Sequence, residues 1–230
     1  MTESFRDTRS TENESMLAEI SLGACLMSEQ LGRDTFDARV LDAMRAVPRH
    51  AFVPLEMQPH AYHLRPLPIG FDKSIANPLI VALMTDVLRV EPHHTVLEIG
   101  TGLGWNAALL SRLARQVYTM EIVDELAAEA LERLHRNGFG NVELLLGNGA
   151  EGLPRHAPFD RILVTCAPQL IPPALLAQLA PGGRMVVPAG LPGEQMLMLV
   201  TRDADGHARV ADILPATFGE MDRAELSGSM

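Results

Sequence analysis

Cysteine and long apolar runs are scarce in this sequence, and each scarcity excludes a class of protein. The 230 residues include two cysteines, Cys25 and Cys166, which are far apart and form no C-x-x-C pair. A disulfide framework or a zinc site is therefore not expected. Glycine, proline or charge interrupts the apolar runs well before a membrane-spanning length, and residues 1–15 lack the apolar segment of a signal peptide. We therefore expect a soluble, cytoplasmic protein with no bound metal.

Basic residues are also in short supply. The 19 Lys and Arg residues face 29 Asp and Glu residues, which gives a formal net charge of −10. Because a phosphate backbone repels such a surface, general nucleic-acid binding is disfavoured. Apolar residues make up 47% of the chain, which excludes a disordered protein and allows a sizeable core in one large domain or a domain with an extension.

The sequence divides into three regions that we predict to form one compact domain. Residues 1–15 are polar and mixed in charge, which predicts a flexible tail. Residues 16–92 show two helical repeats of apolar residues, then a proline-rich loop, then a helix from about Pro78. A proline is tolerated in the first turn of a helix because its missing N–H would have no partner there. Residues 93–230 show a different rhythm and are predicted to form the core.

Strand and helix patterns alternate in this third region. The strand-like runs are "TVLEIG", "QVYTME", "VELLLG", "FDRILVTC" and "PGGRMVVPAG", most of them separated by helical patterns. Such alternation predicts an α/β fold with a doubly wound, mostly parallel sheet. The end of the chain differs, because "QMLMLVTR" and "ARVADIL" are joined by "DADG". This arrangement predicts an antiparallel C-terminal hairpin.

A glycine-rich loop follows the first of these strands and precedes a helix. Its candidate cofactor-binding residues are Glu98, Gly100, Thr101, Gly102, Leu103 and Gly104. Glycines at such a turn let the backbone approach a ligand closely. For NAD, the sixth position of G-x-G-x-x-G/A is Trp105 counted from Gly100, which fails, and Ala107 counted from Gly102, which fits weakly. The G-x-G-x-G form after "VLEI" favours S-adenosylmethionine, and a tight turn without a ligand is the third interpretation.

The ends of the next two strands carry residues suited to the same ligand. Glu121 ends the second strand and is followed by Ile122. An acid in that position of dinucleotide folds accepts hydrogen bonds from ribose hydroxyls. Asn148 and Gly149 follow the third strand, where an amide oxygen can accept from an adenine amine. A surface glutamate and a plain Asn-Gly turn are the alternatives.

Two other signals are weaker. His60 and His63 form an H-x-x-H pair in the proline-rich loop, but no cysteine or acid cluster joins them, so solvated histidines are favoured over a metal site. Cys166 follows the fourth strand without a motif-linked base. We interpret it as a small buried residue near the cofactor, and not as a nucleophile.

Six blocks of sequence together resemble the protein-L-isoaspartate O-methyltransferase family. In family order between about residues 17 and 200, they are "RVLDAMRAVPRHAFVP", "AYHLRPLPIG", "SIANPLIVALMTDVL", "VLEIGTGLGW", "HAPFDRILVTCAP" and "LAPGGRMVVPAG". The resemblance implies a Rossmann-like class I methyltransferase with a seven-stranded sheet and an N-terminal helical extension. It also implies methyl transfer from S-adenosylmethionine to the carboxylate of an L-isoaspartyl or Asp residue of a protein or peptide, as in protein repair.

The same resemblance places a substrate-clamping loop at residues 70–78, with Ser74, Ala76 and Asn77 as the candidate catalytic residues. The family pattern there is usually G-x-G-Q-T-I-S-x-P, whereas this chain has "GFDKSIANP". Lys73 replaces the glutamine, Ser74 replaces a threonine and keeps a hydroxyl, and Ala76 replaces the characteristic serine.

Two further polar positions of the family pattern differ in this chain. Leu64 stands where an acid is common, and Asn148 stands where "GDG" has an Asp. These departures leave two alternatives beside isoaspartyl repair. One is an enzyme dedicated to a particular peptide, such as a natural-product precursor, and the other is a weakly catalytic cofactor-binding protein.

Overall fold

The computed structural model describes residues 2–222, with side chains from residue 8 onward. It begins with three helices, α1 (Thr2–Leu26), α2 (Ser28–Leu31) and α3 (Ala38–Ala46). The structure differs here from the predicted flexible tail over 1–15, because residues 2–15 belong to α1. The buried Asn13 amide donates to the Arg45 carbonyl oxygen at 3.1 Å, and the Glu14 carboxylate pairs with the Arg45 guanidinium at 2.8 Å. The polar composition of this stretch was misleading because two of its polar side chains, those of Asn13 and Glu14, find partners on α3.

The proline-rich stretch contains more regular structure than the sequence predicted. Two 3-10 helices, Arg49–Phe52 and Leu55–His60, precede β1 (Leu67–Gly70), which pairs antiparallel with β2 (Lys73–Ile75). The connecting residues Phe71 and Asp72 have positive φ values of 53° and 55°, as a type I′ hairpin turn requires. The hairpin escaped prediction because this turn lacks the usual Asn-Gly or Asp-Gly signal.

The remaining elements alternate as the sequence predicted. In chain order they are α4 (Pro78–Leu88), β3 (Thr95–Ile99), α5 (Trp105–Ser111), β4 (Gln116–Glu121), α6 (Asp124–Arg136), β5 (Val142–Leu146), β6 (Phe159–Val164), α7 (Pro173–Gln178), β7 (Leu179–Ala189), β8 (Met196–Arg202) and β9 (Ala208–Pro215). Two more 3-10 helices, Gly149–Glu151 and Pro154–His156, lie between β5 and β6. Helix α4 starts at Pro78, as predicted.

The central sheet has seven strands in the order β5-β4-β3-β6-β7-β8-β9. The pairs from β5 to β7 are parallel, whereas β7 with β8 and β8 with β9 are antiparallel. The predicted doubly wound sheet and its antiparallel C-terminal hairpin are confirmed. The strand order reverses beside β3, because the chain runs from β3 outward to β5 and then returns to β6 on the other side of β3.

Buried apolar side chains tie the N-terminal helices to the sheet. Ile20 and Met44 from the extension share one buried cluster with Val96 of β3 and Trp105 of α5. Successive residues of a strand point to opposite faces, and the neighbouring Leu97 belongs to a second cluster. Within residues 2–222, no helix is long and apolar enough to cross a membrane. The cytoplasmic location stays a prediction.

Candidate cofactor and substrate site

A cavity of about 490 Å³ opens at the carboxyl ends of β3, β4, β5 and β6. In open sheets of this kind, ligands bind outside the carboxyl ends of the strands, where the strand order reverses. A cavity of this volume lies in the range of small-molecule and cofactor sites. The position and size of the cavity therefore both fit the nucleotide-type ligand predicted from the glycine-rich loop.

The glycine-rich loop forms one wall of this cavity. Gly100 and Gly102 line it, and both have positive φ values, 93° and 55°. A Cβ atom at position 100 would collide with Oγ1 of Thr165, which donates a hydrogen bond to the Gly100 carbonyl oxygen at 2.7 Å. Glycine is thus required for the loop to pack against the end of β6. Because glycine has no side chain, a cofactor in the cavity can approach the backbone of this loop closely.

Glu121 lies at the end of β4 with its buried side chain on the cavity. Its Oε2 accepts from the Gly102 N–H at 2.8 Å, and its Oε1 accepts from the N–H groups of Ile122 and Val123 at 2.9 and 3.1 Å. These three backbone donors fix the orientation of the carboxylate. A carboxylate offers about four acceptor positions, so capacity remains for a ribose hydroxyl. Ile122, also predicted, lines the cavity beside it.

Four of the predicted loop residues lie behind the cavity wall. Glu98 is fully buried and accepts a hydrogen bond from the Thr119 hydroxyl at 2.5 Å, and Thr101 bonds to the same hydroxyl at 2.7 Å. Leu103 is buried in the core, and Gly104 caps α5 with a φ of 93°. These residues do not line the cavity and shape the loop from behind, so their contact with a cofactor stays a prediction. The sequence did not distinguish these four residues from Gly100 and Gly102, because all of them belong to the same short stretch of sequence.

Burial gives Glu98 an unusual charge state. Loss of hydration raises its pKa to about 8, and its Oε1 has no hydrogen-bond partner. A buried carboxylate with an unpaired oxygen is costly, so the protonated form is favoured at neutral pH. Glu98 is therefore a neutral structural group beneath the glycine loop.

The end of β5 contributes backbone and no polar side chain. Gly147 and Gly149 line the cavity. The Asn148 side chain is used locally, since its Oδ1 accepts from the Ala150 N–H at 3.1 Å and its Nδ2 donates to Glu151 at 3.0 Å. Asn148 thus caps the 3-10 helix that begins at Gly149, and its contact with adenine stays a prediction.

Another part of the cavity lining is formed by the β1–β2 hairpin and the residues that follow it. Ser74, Ala76 and Asn77, the candidate catalytic residues, all line the cavity. The amide of Asn77 is already engaged, because its Oδ1 accepts from the Leu79 N–H at 2.9 Å and its Nδ2 donates to the Leu64 carbonyl oxygen at 3.0 Å. Asn77 therefore acts as the N-cap of α4 and holds the loop in place. Ser74 and Ala76 are left as the small side chains facing the cavity.

A buried arginine, which the sequence did not single out, anchors this wall. The guanidinium of Arg49 donates to carbonyl oxygens at both ends of the hairpin region, at 2.6 Å to Ala61 and 2.9 Å to Ala76. It also lies 5.3 Å from the centre of the Trp105 ring. Burial lowers the Arg49 pKa to about 10, so the side chain remains charged at neutral pH.

The C-terminal segment 215–222, which we call the strap, covers the cavity and was also missed by the sequence analysis. All eight of its residues line the cavity. The buried Gln195 side chain accepts from the Phe218 N–H at 2.6 Å and donates to the Phe218 carbonyl oxygen at 3.0 Å. Ala167 holds the next stretch by backbone bonds to Gly219 and Met221 at 2.8 and 2.9 Å. No local sequence pattern marks this role, because the strap beyond Pro215 forms no helix or extended strand.

The weaker sequence signals have structural explanations. Cys166 lines the cavity, and burial raises its pKa to about 12, which keeps the thiol neutral and agrees with its interpretation as a small residue near the cofactor. The His60 and His63 rings lie with their centres 5.3 Å apart and are tilted by 48° to each other. In the part of the chain that the structure describes, no third metal-binding side chain joins them.

The sheet decides between the two nucleotides that the glycine loop alone left open. The parallel strands β5-β4-β3-β6-β7 repeat the first five positions of the 3-2-1-4-5-6 order of a dinucleotide-binding domain, but this sheet then ends in two antiparallel strands, β8 and β9. Together with the glycine loop and the acid of β4, this architecture defines a class I methyltransferase that uses S-adenosylmethionine.

Comparisons with known proteins identify the family within that class. The family model for protein-L-isoaspartate(D-aspartate) O-methyltransferase matches residues 25–221. Protein-L-isoaspartate O-methyltransferase 1 of Polaromonas sp. (strain JS666 / ATCC BAA-500) is 53% identical over 212 residues, which cover 92% of this chain and 90% of that protein. The chain belongs to the protein-L-isoaspartate(D-aspartate) O-methyltransferase family, as its six sequence blocks predicted.

Solved structures support the same fold. A protein-L-isoaspartate O-methyltransferase matches with a TM-score of 0.76 at 25% identity, over 90% of this chain and 65% of that one. A protein from Plasmodium falciparum, described as a putative member solved with S-adenosyl-L-homocysteine, matches with a TM-score of 0.78 at 19% identity. That match covers 91% of this chain and 98% of the other.

Proposed function

We propose that this enzyme methylates the α-carboxylate of L-isoaspartyl residues in proteins or peptides, and that the cavity holds both the cofactor and this carboxylate. One observation carries the proposal: the glycine loop, Ser74 of the hairpin and Ala76 directly after it line the same cavity. The glycine loop and Glu121 would hold S-adenosylmethionine. The hairpin residues, which belong to the family-specific blocks, would hold the substrate.

The side chains around the cavity suit transfer to a carboxylate. A free carboxyl group has a pKa of about 4 and is ionised at neutral pH, so no general base is needed. Accordingly, no histidine lines the cavity in the described part of the chain. When bound, S-adenosylmethionine supplies an electrophilic methyl group, and the sulfur retains the electron pair of the broken carbon–sulfur bond. The protein must align the carboxylate oxygen and exclude water, and the hairpin and strap enclose the cavity for this purpose.

The proposal is tested by following the chemical form of the transferred methyl group. The protein is incubated with methyl-labelled S-adenosylmethionine and an isoaspartyl peptide, with the matching Asp and Asn peptides as controls. We expect label on the isoaspartyl peptide alone, released as volatile methanol by mild base, because carboxyl esters are base-labile. A base-stable product or equal labelling of the Asn peptide would refute the assignment.

A second candidate function follows from Ala76, which gives the cavity a methyl group where the family pattern has a hydroxyl. An enzyme dedicated to one peptide sequence would have adapted this position to its substrate. In that case, a mixture of aged cellular proteins would accept little label, while one particular peptide would accept most of it.

A further inference from the structure

Lys73 occupies an unusual electrostatic position in the cavity. The cavity is lined by four carboxylate side chains, Asp72, Glu121, Glu220 and Asp222. Lys73 is the single cationic side chain among the lining residues that the structure describes. A substrate carboxylate entering this cavity meets a local excess of negative charge. Without a cationic partner, such a group would be repelled and would lose its hydration without compensation.

The ammonium group of Lys73 already binds a carboxylate. Its Nζ lies 2.7 Å from Oδ2 of Asp222 at the end of the strap, and the two side chains are 27% and 42% exposed. Asp222 therefore shows that a carboxylate can reach Lys73 within the cavity at hydrogen-bonding distance. A half-exposed ion pair of this kind contributes little stability and is readily exchanged.

The position of Lys73 in the hairpin suits contact with a substrate. It is the first residue of β2, directly after the two-residue turn, and Ser74 and Ala76 on the same segment also line the cavity. The usual family residue at position 73 is Gln and at position 76 is Ser, so this chain combines a gained charge with a lost hydroxyl. A lysine forms stronger, charge-assisted hydrogen bonds to a carboxylate than a neutral amide does.

We propose that Lys73 binds the substrate carboxylate in this enzyme and that Asp222 occupies this position when the substrate is absent. This inference rests on the proposed function. On binding, the substrate carboxylate replaces the Asp222 carboxylate on Nζ, and no covalent bond or proton is exchanged. Lys73 thus selects substrates that carry the anionic group. Asp222 competes with the substrate for Lys73, and the lysine becomes available only when the strap moves.

The test compares two substitutions that have opposite expected effects. Affinity for an isoaspartyl peptide is measured by calorimetry in the presence of S-adenosyl-L-homocysteine, and KM is measured in the methylation assay. Lys73→Met should weaken peptide binding by roughly tenfold or more, the effect of losing one charge-assisted hydrogen bond. Asp222→Asn should strengthen it by about twofold or more, because the competent state becomes more populated. Lys73→Arg is the matched control and should retain most of the affinity.

Each other outcome overturns the inference. If both substitutions weaken peptide binding, the ion pair is a structural latch between hairpin and strap. If Lys73→Met changes the affinity for S-adenosyl-L-homocysteine and not for the peptide, Lys73 holds the cofactor's own carboxylate. Unchanged peptide affinity in Lys73→Met also contradicts it.

A peptide variant keeps the test independent of protein folding. An isoaspartyl peptide with an α-carboxamide lacks the charge that Lys73 would bind. The unsubstituted protein should bind it less tightly than the carboxylate form, whereas Lys73→Met should bind both alike. Equal binding of both forms by the unsubstituted protein contradicts the inference. Failure of the unsubstituted protein to methylate any isoaspartyl peptide would instead refute the proposed function, so the two failures are distinguishable.

Discussion

At the scale of single residues, a substitution of Ala76 tests whether a hydroxyl at this position helps to align the substrate. Ala76→Ser would restore the hydroxyl donor of the family pattern on the cavity wall. One hydrogen bond contributes about 0.5–1.5 kcal/mol, and 1.36 kcal/mol corresponds to a tenfold change in rate. We therefore expect Ala76→Ser to raise kcat/KM for an isoaspartyl peptide by roughly tenfold.

Cofactor affinity is the control for this substitution. It should be nearly unchanged in Ala76→Ser, because the residues proposed to hold the cofactor are Gly100, Gly102 and Glu121. If the unsubstituted protein is already fast and Ala76→Ser brings no gain, the hydroxyl is dispensable in this chain.

Glu98 links stability to pH through its buried carboxyl group. Its pKa is about 8 in the folded protein, above the ordinary value of 4.5, so the folded state binds more protons than the unfolded state between these two values. The contribution of Glu98 to stability is therefore complete below pH 4.5 and is lost as the pH rises to 8. The expected slope is about −1.4 kcal/mol per pH unit in this window.

Glu98→Gln isolates this effect, since glutamine has a similar shape and does not titrate. We expect the substitution to raise the thermal midpoint at pH 8 relative to the unsubstituted protein and to have little effect at pH 4.5. Denaturation curves at both pH values measure the difference. The exposed Glu143 on β5 supplies a matched control, Glu143→Gln, which should leave the pH dependence intact. If the thermal midpoint changes with pH in the same way in all three proteins, Glu98 is ionised in the folded state.

At the scale of elements, the β1–β2 hairpin is stabilised by the guanidinium of Arg49, which lies outside it. The Arg49 guanidinium donates to carbonyl oxygens on both sides of the short hairpin, those of Ala61 before it and Ala76 after it. Removing hydrogen bonds of a charged donor costs about 1.5–3 kcal/mol each, so we expect Arg49→Met to destabilise the protein by roughly 3 kcal/mol or more. For a chain of this size, that corresponds to a thermal midpoint lower by roughly 6–12 °C.

Hydrogen exchange shows which part of the protein loses stability in Arg49→Met. Amides of residues 61–77 should exchange faster in Arg49→Met, while those of β3 to β7 should stay protected under native conditions. Arg49→Lys is the control, because it keeps the charge but cannot span the separated carbonyl oxygens with a planar fork. Uniform loss of protection across the sheet would show that Arg49 supports the whole core instead.

At the scale of the whole molecule, the cofactor should connect elements that are otherwise joined by few contacts. The cavity is lined by the ends of four strands, the hairpin and the strap, so a ligand that fills it contacts all of them. At a concentration 100 times its Kd, S-adenosyl-L-homocysteine should stabilise the fold by about 2.7 kcal/mol. The thermal midpoint should then rise by roughly 5–11 °C.

NAD at the same concentration should produce no shift, because the sheet is that of a methyltransferase. Glu121→Gln should reduce the shift with S-adenosyl-L-homocysteine, since a neutral amide accepts weaker hydrogen bonds from ribose hydroxyls than a carboxylate does. A shift with NAD alone would overturn the assignment of the cofactor.

Local patterns in the sequence determined most of the architecture of this protein. Apolar runs ending in Gly or an acid predicted the strands, and six motif blocks predicted the family and the position of the glycine loop. Such features are readable because secondary structure and tight turns depend on neighbouring residues. The same reasoning explains why Gly100, Gly102 and Glu121 were predicted and do line the cavity.

Tertiary structure alone decided which of the predicted residues face the cavity. Glu98 and Gly102 are four residues apart, yet one is buried beneath the loop and the other lines the cavity. The use of Asn77 as a cap, the anchoring by Arg49 and the pairing of Lys73 with Asp222 were likewise not predicted. Arg49 contacts Ala76, 27 positions further along the chain, and Lys73 contacts Asp222, 149 positions further along. No local period encodes such pairs, since they form only when the folded chain brings these distant segments together.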